Sequence, residues 1–178
     1  MYDVVKKLLF ARQFQMEKGN INLMGLDVMI IPAPVMVDII KTLEKTIGYE
    51  KTKKLIYEGV KSGTSFYAKK ISEKYDIKGV KLIQWLVDTM MLTGWGEAKL
   101  ISIDVEKKTA ILHLYNSTLA KHYGKSKKPI DHVMAGAQAG GASIVFGKNA
   151  IVKETKCSSM GHDFCEFIYS TKNKNTKK

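Results

Sequence analysis

Arginine is almost missing from this chain: of its 29 basic residues only Arg12 carries a guanidinium. Base edges and paired phosphate oxygens are read best by that planar fork. A formal net charge of +12 carried by lysine therefore describes a solvated surface with loose attraction for polyanions, not specific nucleic-acid binding. Four of the lysines, Lys172, Lys174, Lys177 and Lys178, fall in residues 171–178, which read as a disordered tail. Cysteine is equally scarce. Two residues, Cys157 and Cys165, cannot build a disulfide scaffold, and in a reducing compartment a close pair is more often a metal or redox device. Long apolar runs are also missing. Nothing approaches the roughly 20 residues of a membrane helix, and Met1–Gln15 lacks the apolar centre and cleavage site of a signal peptide. The expectation is a soluble, cytoplasmic protein with no membrane attachment.

Signatures of catalysis are absent as well. Gly124-Lys125-Ser126 has Leu119 where a phosphate loop requires glycine, and neither a dinucleotide fingerprint nor a Ser/His/Asp order emerges. His113 alternates within a strand and His122 lies in a lysine-rich loop, so both read as surface residues, while Asn116-Ser-Thr has no meaning as a glycosylation signal without secretion. No activated nucleophile or tuned acid/base pair assembles, which argues against an enzyme.

What the chain does contain is enough apolar residue, 45% of 178, for one core, so residues 1–170 read as one domain. Leu8–Phe14 and Asn20–Pro32 look like paired strands around Glu17-Lys18-Gly19. Apolar spacing then predicts helices over Val37–Ile47, Glu50–Tyr75 and Gly79–Leu92, with Gly59 and Gly63 permitting close packing or a kink. Ala98–Val105 and Ala110–Tyr115 form a second hairpin, Pro129–Phe146 a glycine-rich helix, and Ala150–Cys157 with Phe164–Tyr169 a last hairpin around Ser158–Asp163. Strands, helices and strands in that order exclude a Rossmann alternation. They predict an α+β fold in which long helices pack on an antiparallel sheet.

The last hairpin carries the most chemistry. Its turn sets Cys157 opposite Cys165, and two thiolates with nearby Glu, Asp or His suit tetrahedral zinc. By strand alternation, however, Glu154 and Cys157 point to opposite faces, so a shared ion requires a bulge or an early turn between them. Two small buried thiols, or a cross-strand disulfide, fit the residues equally well. His162 is placed to approach an ion from the turn.

Gly136-Ala-Gln-Ala-Gly140-Gly141, followed by Glu154-x-x-Cys157-x-x-x-Gly161-x-x-x-Cys165-x-Phe167, resembles the C-terminal signature of the vinyl-4-reductase (4VR) domain, and the element order over about Leu8–Tyr169 is similar too. That family includes stand-alone archaeal proteins, a protein of bacteriochlorophyll biosynthesis and the sensory domains of phenol- and xylene-responsive activators. Its fold is similar to that of trafficking-complex subunits and haem nitric-oxide sensors. The resemblance implies a structural zinc at Glu154, Cys157 and Cys165, with Asp131 where the relatives carry a fourth cysteine and His132 as a nitrogen alternative. It also implies an apolar pocket between helices and sheet. Trp85, Met90, Met91, Trp95, Leu114 and Tyr115 lie around the expected region, although such a stripe is equally what ordinary core looks like, and Leu114 stands where the phenol sensors have tryptophan. The function so implied is a binding or sensory module for a small hydrophobic molecule. It would be a homodimer through the first hairpin and first helix, signalling through a separate effector protein. An enzyme or accessory of tetrapyrrole metabolism and a protein-interaction scaffold are the alternatives.

Overall fold

In the computed structural model, which describes residues 14–23 and 25–171, three short strands come first: β1 (Phe14–Glu17), β2 (Asn20–Leu23) and β3 (Leu26–Val28). They form an antiparallel sheet in the order β1-β2-β3. Lys18 and Gly19 both take positive φ, 50° and 84°, the mirror-image turn that a two-residue hairpin needs. The expected continuous strand Asn20–Pro32 is divided in two, because the Asn22 side chain accepts a hydrogen bond from the Gly25 N–H at 2.8 Å and turns the chain back. Of the expected first strand Leu8–Phe14, all but Phe14 lies outside the described residues, as do residues 172–178 of the expected tail.

Three helices follow: α1 (Ala33–Ile47), α2 (Tyr49–Tyr75) and α3 (Gly79–Leu92). Gly48, at φ 82°, separates α1 from α2, and Asp76 in the left-handed conformation ends α2. Strands β4 (Glu97–Asp104) and β5 (Thr109–Tyr115) then pair antiparallel. A short helix, α4 (Thr118–Tyr123), stands where the sequence suggested a loop. Ser117 caps it by accepting from the Ala120 N–H, and Leu119 and Ala120 are buried. Six residues are too few to display a helical period. Helix α5 (His132–Phe146) and strands β6 (Ala150–Lys156) and β7 (Cys165–Thr171) complete an antiparallel sheet of order β4-β5-β7-β6.

The main core lies between this sheet and α5, with Leu112, Leu114, Met134, Phe146, Phe167 and Tyr169 fully enclosed. A second cluster, around Leu23, Ala68, Ile71, Leu82 and Leu86, joins the first sheet to α2 and α3. The glycines that permit close packing are on α5, not on α2. A Cβ on Gly140 would lie 2.6 Å from the Lys61 carbonyl oxygen and 2.8 Å from the Ser65 nitrogen, whereas one on Gly59 or Gly63 would meet nothing within 4 Å. Helix α5 is thereby drawn against α2, and its first turn is brought to the last hairpin.

Candidate metal centre and apolar cavity

Of the two routes by which Glu154 and Cys157 could share an ion, a bulge or an early turn, the bulge is present. Along β6 and β7 the register runs Glu154 opposite Phe167 and then Lys156 opposite Glu166, so Thr155 is the extra residue. The slip turns Glu154 and Cys157 to the same buried side, where they meet Cys165 from β7. One donor atom from each of the three lies within 4.8 Å of the others. The two Sγ atoms are 4.0 Å apart and both thiols are free.

Three acidic groups in one buried space cannot all ionise. Burial, followed by the neighbouring Asp131 carboxylate and Cys157, pushes the Glu154 carboxyl up to about 10. A hydrogen bond from the Cys165 thiol, opposed by burial but helped by the neighbouring Glu154 carboxyl, draws Cys157 down to about 5. Cys165 is driven up by the same thiol contact and by burial. The shared space thus favours ionisation of Cys157 and protonation of Glu154 and Cys165.

Such a site fits a divalent, thiophilic ion. Zn–S bonds of about 2.3 Å in a tetrahedral site place two sulfurs about 3.8 Å apart, close to the 4.0 Å observed. Glu154 Oε2 accepts from the Asp131 main-chain N–H at 2.9 Å, but Oε1 is buried without a hydrogen-bond partner. An ion is the kind of group that satisfies it.

Asp131 is adjacent but differently engaged. Fully buried, it caps α5: Oδ1 accepts from the Met134 N–H at 3.0 Å and Oδ2 lies 3.4 Å from the Ser117 hydroxyl. Burial is the main reason its carboxyl is pushed up to about 7. Its carboxylate falls outside the group of three. His132 does not join that group either. Its ring stands edge-on to Tyr49 at 5.2 Å, with Nε2 3.9 Å from Glu44 Oε1, and burial holds it down to about 4. His162 is exposed on the turn. His113 is not the free surface residue its alternation suggested: it stacks on Phe164 at 4.1 Å and contacts Glu166 at 3.1 Å.

An apolar cavity of about 230 Å³ lies among α2, α3, the α3–β4 connection, α5 and Tyr169 of β7. Met90 and Trp95, two of the six residues singled out for a pocket, line it together with Tyr67, Val133, Met134 and Gln138. The other four stand elsewhere. Trp85 packs beside Tyr67 in the second cluster, Met91 rests against the main core, Leu114 is fully buried there, and Tyr115 faces Phe164. Sequence reasoning missed Gln138. The available signal was a lone amide in a helix otherwise made of small and apolar residues, and it is 2% exposed.

Comparison with known proteins bears out the family resemblance and the fold class. Residues 111–171 match the V4R domain, a stretch that contains Asp131, Glu154, both cysteines and all of α5. No curated protein sequence matches the chain. Among solved structures, the fold is similar to the phenol-responsive sensory domain of the transcription activator PoxR with phenol, at 16% identity and TM-score 0.81, over 96% of this chain and 90% of that one. It is similar to a vinyl-4-reductase family protein from Methanocaldococcus jannaschii, at 19% identity and TM-score 0.55, over 82% and 85%. It is also similar to a trafficking protein particle complex subunit 3 from Naegleria fowleri covalently bound to palmitic acid, at 10% identity and TM-score 0.58, over 79% and 95%.

Proposed function

For a chain that carries a V4R domain within this α+β fold, we propose a binding module for a small hydrophobic molecule, held in shape by a structural zinc ion. The observation that carries the reading is the apolar cavity of about 230 Å³ between helices and sheet. Apolar lining with few polar groups is how small-molecule sites are usually built. The phenol bound by the PoxR sensory domain supports the same reading, since that domain shares the fold across 96% of this chain.

Glu154, Cys157 and Cys165 would hold the zinc, with Asp131, tied to Glu154 through its own N–H, as the residue that completes the set. A closed set of four leaves no position for water, so the ion would supply cross-linking of the β6–β7 hairpin to the first turn of α5 and no catalysis. The two thiols suit the reducing cytoplasm. No described helix is long and apolar enough to cross a membrane. Exposed Met29, Ile30 and Ile31, between the first sheet and α1, with Val35 and Ile39 on α1, support a homodimer through that face. A separate effector protein would read the bound state.

A native mass spectrum of freshly purified protein tests this. The expected spectrum shows one zinc per chain and, in part of the population, a small-molecule adduct. Metal-free chains that bind no apolar aromatic on titration would sink the reading.

A further inference from the structure

The cavity wall contains an enclosed hydroxyl with nothing to bond. Tyr169 lines the cavity and is 2% exposed, and its hydroxyl makes no hydrogen bond among the described residues. Burial alone pushes the phenol above its ordinary value, with no hydrogen bond or cation to draw it back, so the group keeps its proton. Two features aim that proton at the cavity. Along β7 the inward side chains are Cys165, Phe167 and Tyr169, so the Tyr169 ring stands off the sheet towards the helices with its hydroxyl furthest out. That hydroxyl is also not sealed inside protein, unlike the Gln138 amide, whose two polar atoms have no surface a solute could touch.

The other lining hydroxyls are engaged or more open. Thr89 donates to the Trp85 carbonyl at 2.9 Å and Thr93 to the Thr89 carbonyl at 2.8 Å, Tyr67 lies against the Thr89 side chain, and Thr64 is half-buried. An enclosed donor without an acceptor is costly, and phenylalanine would fill the same place without that penalty.

The complement of an unspent O–H is an acceptor oxygen. The residues lining the cavity include no charged side chain, so a carboxylate would be buried without a counter-charge. A bare hydrocarbon leaves the hydroxyl unpaired. A phenol can accept from Tyr169, but it brings a second proton that needs another acceptor. A ketone or aldehyde carbonyl offers two lone pairs and no proton. A cavity of roughly 150 Å³ holds benzene, so this one, at about 230 Å³, has room for a second ring or for substituents.

We infer that Tyr169 is a specificity-determining residue of this cavity, donating its hydroxyl proton to the carbonyl oxygen of a neutral, flat, one- or two-ring ketone or aldehyde. The inference rests on the proposed reading of the cavity as a ligand site and names its ligand class.

The test uses three probes built on one ring frame, 1-indanone, indane and 5-indanol, titrated by calorimetry into the full wild-type chain and into Tyr169→Phe. The variant should weaken 1-indanone by about tenfold relative to indane, as the loss of one buried hydrogen bond allows, and should weaken 5-indanol less. In the wild-type chain the infrared carbonyl stretch of bound 1-indanone should fall below its position in an alkane solvent, the mark of a hydrogen-bonded C=O. An unshifted band, or equal effects of the substitution on 1-indanone and indane, overturns the inference while leaving the cavity reading intact. A larger loss for 5-indanol than for 1-indanone overturns the choice of a carbonyl. Failure of every probe to bind the wild-type chain overturns both readings. The wild-type band decides the matter even if the variant does not fold.

Discussion

The Asp131 main-chain N–H donates to Glu154 Oε2 at 2.9 Å, joining the residue that caps α5 to the strand that carries the candidate metal donors. One carboxylate oxygen is thus used to position the helix and the other, Oε1, is left facing the thiols without a partner. An ion held by Glu154 would in this arrangement also brace the anchor of α5.

Two substitutions separate those roles. Cys157→Ser should lower zinc affinity by more than about 100-fold, beyond the loss typical of an outer-shell partner, and lower the melting temperature. Asp131→Asn should keep the cap, since asparagine caps as well as aspartate. Any loss of zinc in that variant therefore reports on Asp131 as a ligand. Elemental analysis of both proteins gives the answer, and full zinc content in Cys157→Ser would exclude the proposed donor set.

Zinc binding should weaken steeply with acid. Between about pH 6 and 8 the metal-free site keeps protons on Glu154, whose carboxyl is pushed up to about 10, and on Cys165, while Cys157, drawn down to about 5, is ionised. An ion must displace those two protons, and below about pH 7 that of Asp131 as well, so apparent affinity should fall by at least roughly 100-fold per pH unit. Without metal the signs oppose. The raised carboxyl of Glu154 contributes stability below its unfolded value that is lost as pH rises. The depressed thiol of Cys157 contributes stability at high pH that is lost as pH falls towards 5. Over that window the two cancel, and Asp131, raised to about 7, subtracts stability as pH climbs from about 4 to 7. Melting curves should rise from pH 6 to 8 with zinc and stay level or fall with chelator. Parallel profiles would contradict this.

The close approach of α5 to α2 makes opposite forecasts for two glycines. Gly140→Ala forces a Cβ to within 2.6 Å of the Lys61 carbonyl oxygen and should cost about 1–3 kcal/mol. Gly59→Ala, in the exposed middle of α2 with open space around it, should stabilise by about 0.5–1 kcal/mol. Denaturant titration distinguishes the two directions.

The apolar face between the first sheet and α1 should carry a two-fold contact. Met29 and Ile30 are 82% and 78% exposed, which is unusual for neighbouring large apolar residues. Two chains of charge +12 repel, so the dimer should strengthen with salt, and Ile30→Glu should yield monomers by light scattering at micromolar concentration. A wild-type monomer in high salt would end this proposal.

The sequence made the long elements legible because their signals are strong. Apolar stripes at helical spacing gave α2 and α3 nearly to the residue and α1 to its end at Gly48, though α1 begins four residues before the expected Val37. Strands split by a side-chain turn at Asn22 and a six-residue α4 carry no period to read. The Glu154–Cys157 spacing left a bulge or an early turn as the two ways to a shared site, and only the folded register chooses the bulge. The cavity was half legible. Trp85 and Met90 are five residues apart, about 140° around a helix, so one faces the second cluster and the other the cavity. Leu114 and Tyr115 divide across the sheet in the same way. Which face meets which void depends on how α3 is rotated against α5, and no local pattern encodes that.

The central claim, that the cavity takes a small apolar molecule, is tested most directly by calorimetry of a two-ring aromatic probe at several temperatures, on the wild-type chain and on Ala137→Leu, which places bulk in the cavity wall. The account expects binding with a negative heat-capacity change, the mark of buried apolar surface, and its loss or marked weakening in Ala137→Leu. No binding at any temperature, or binding indifferent to the substitution, would contradict it.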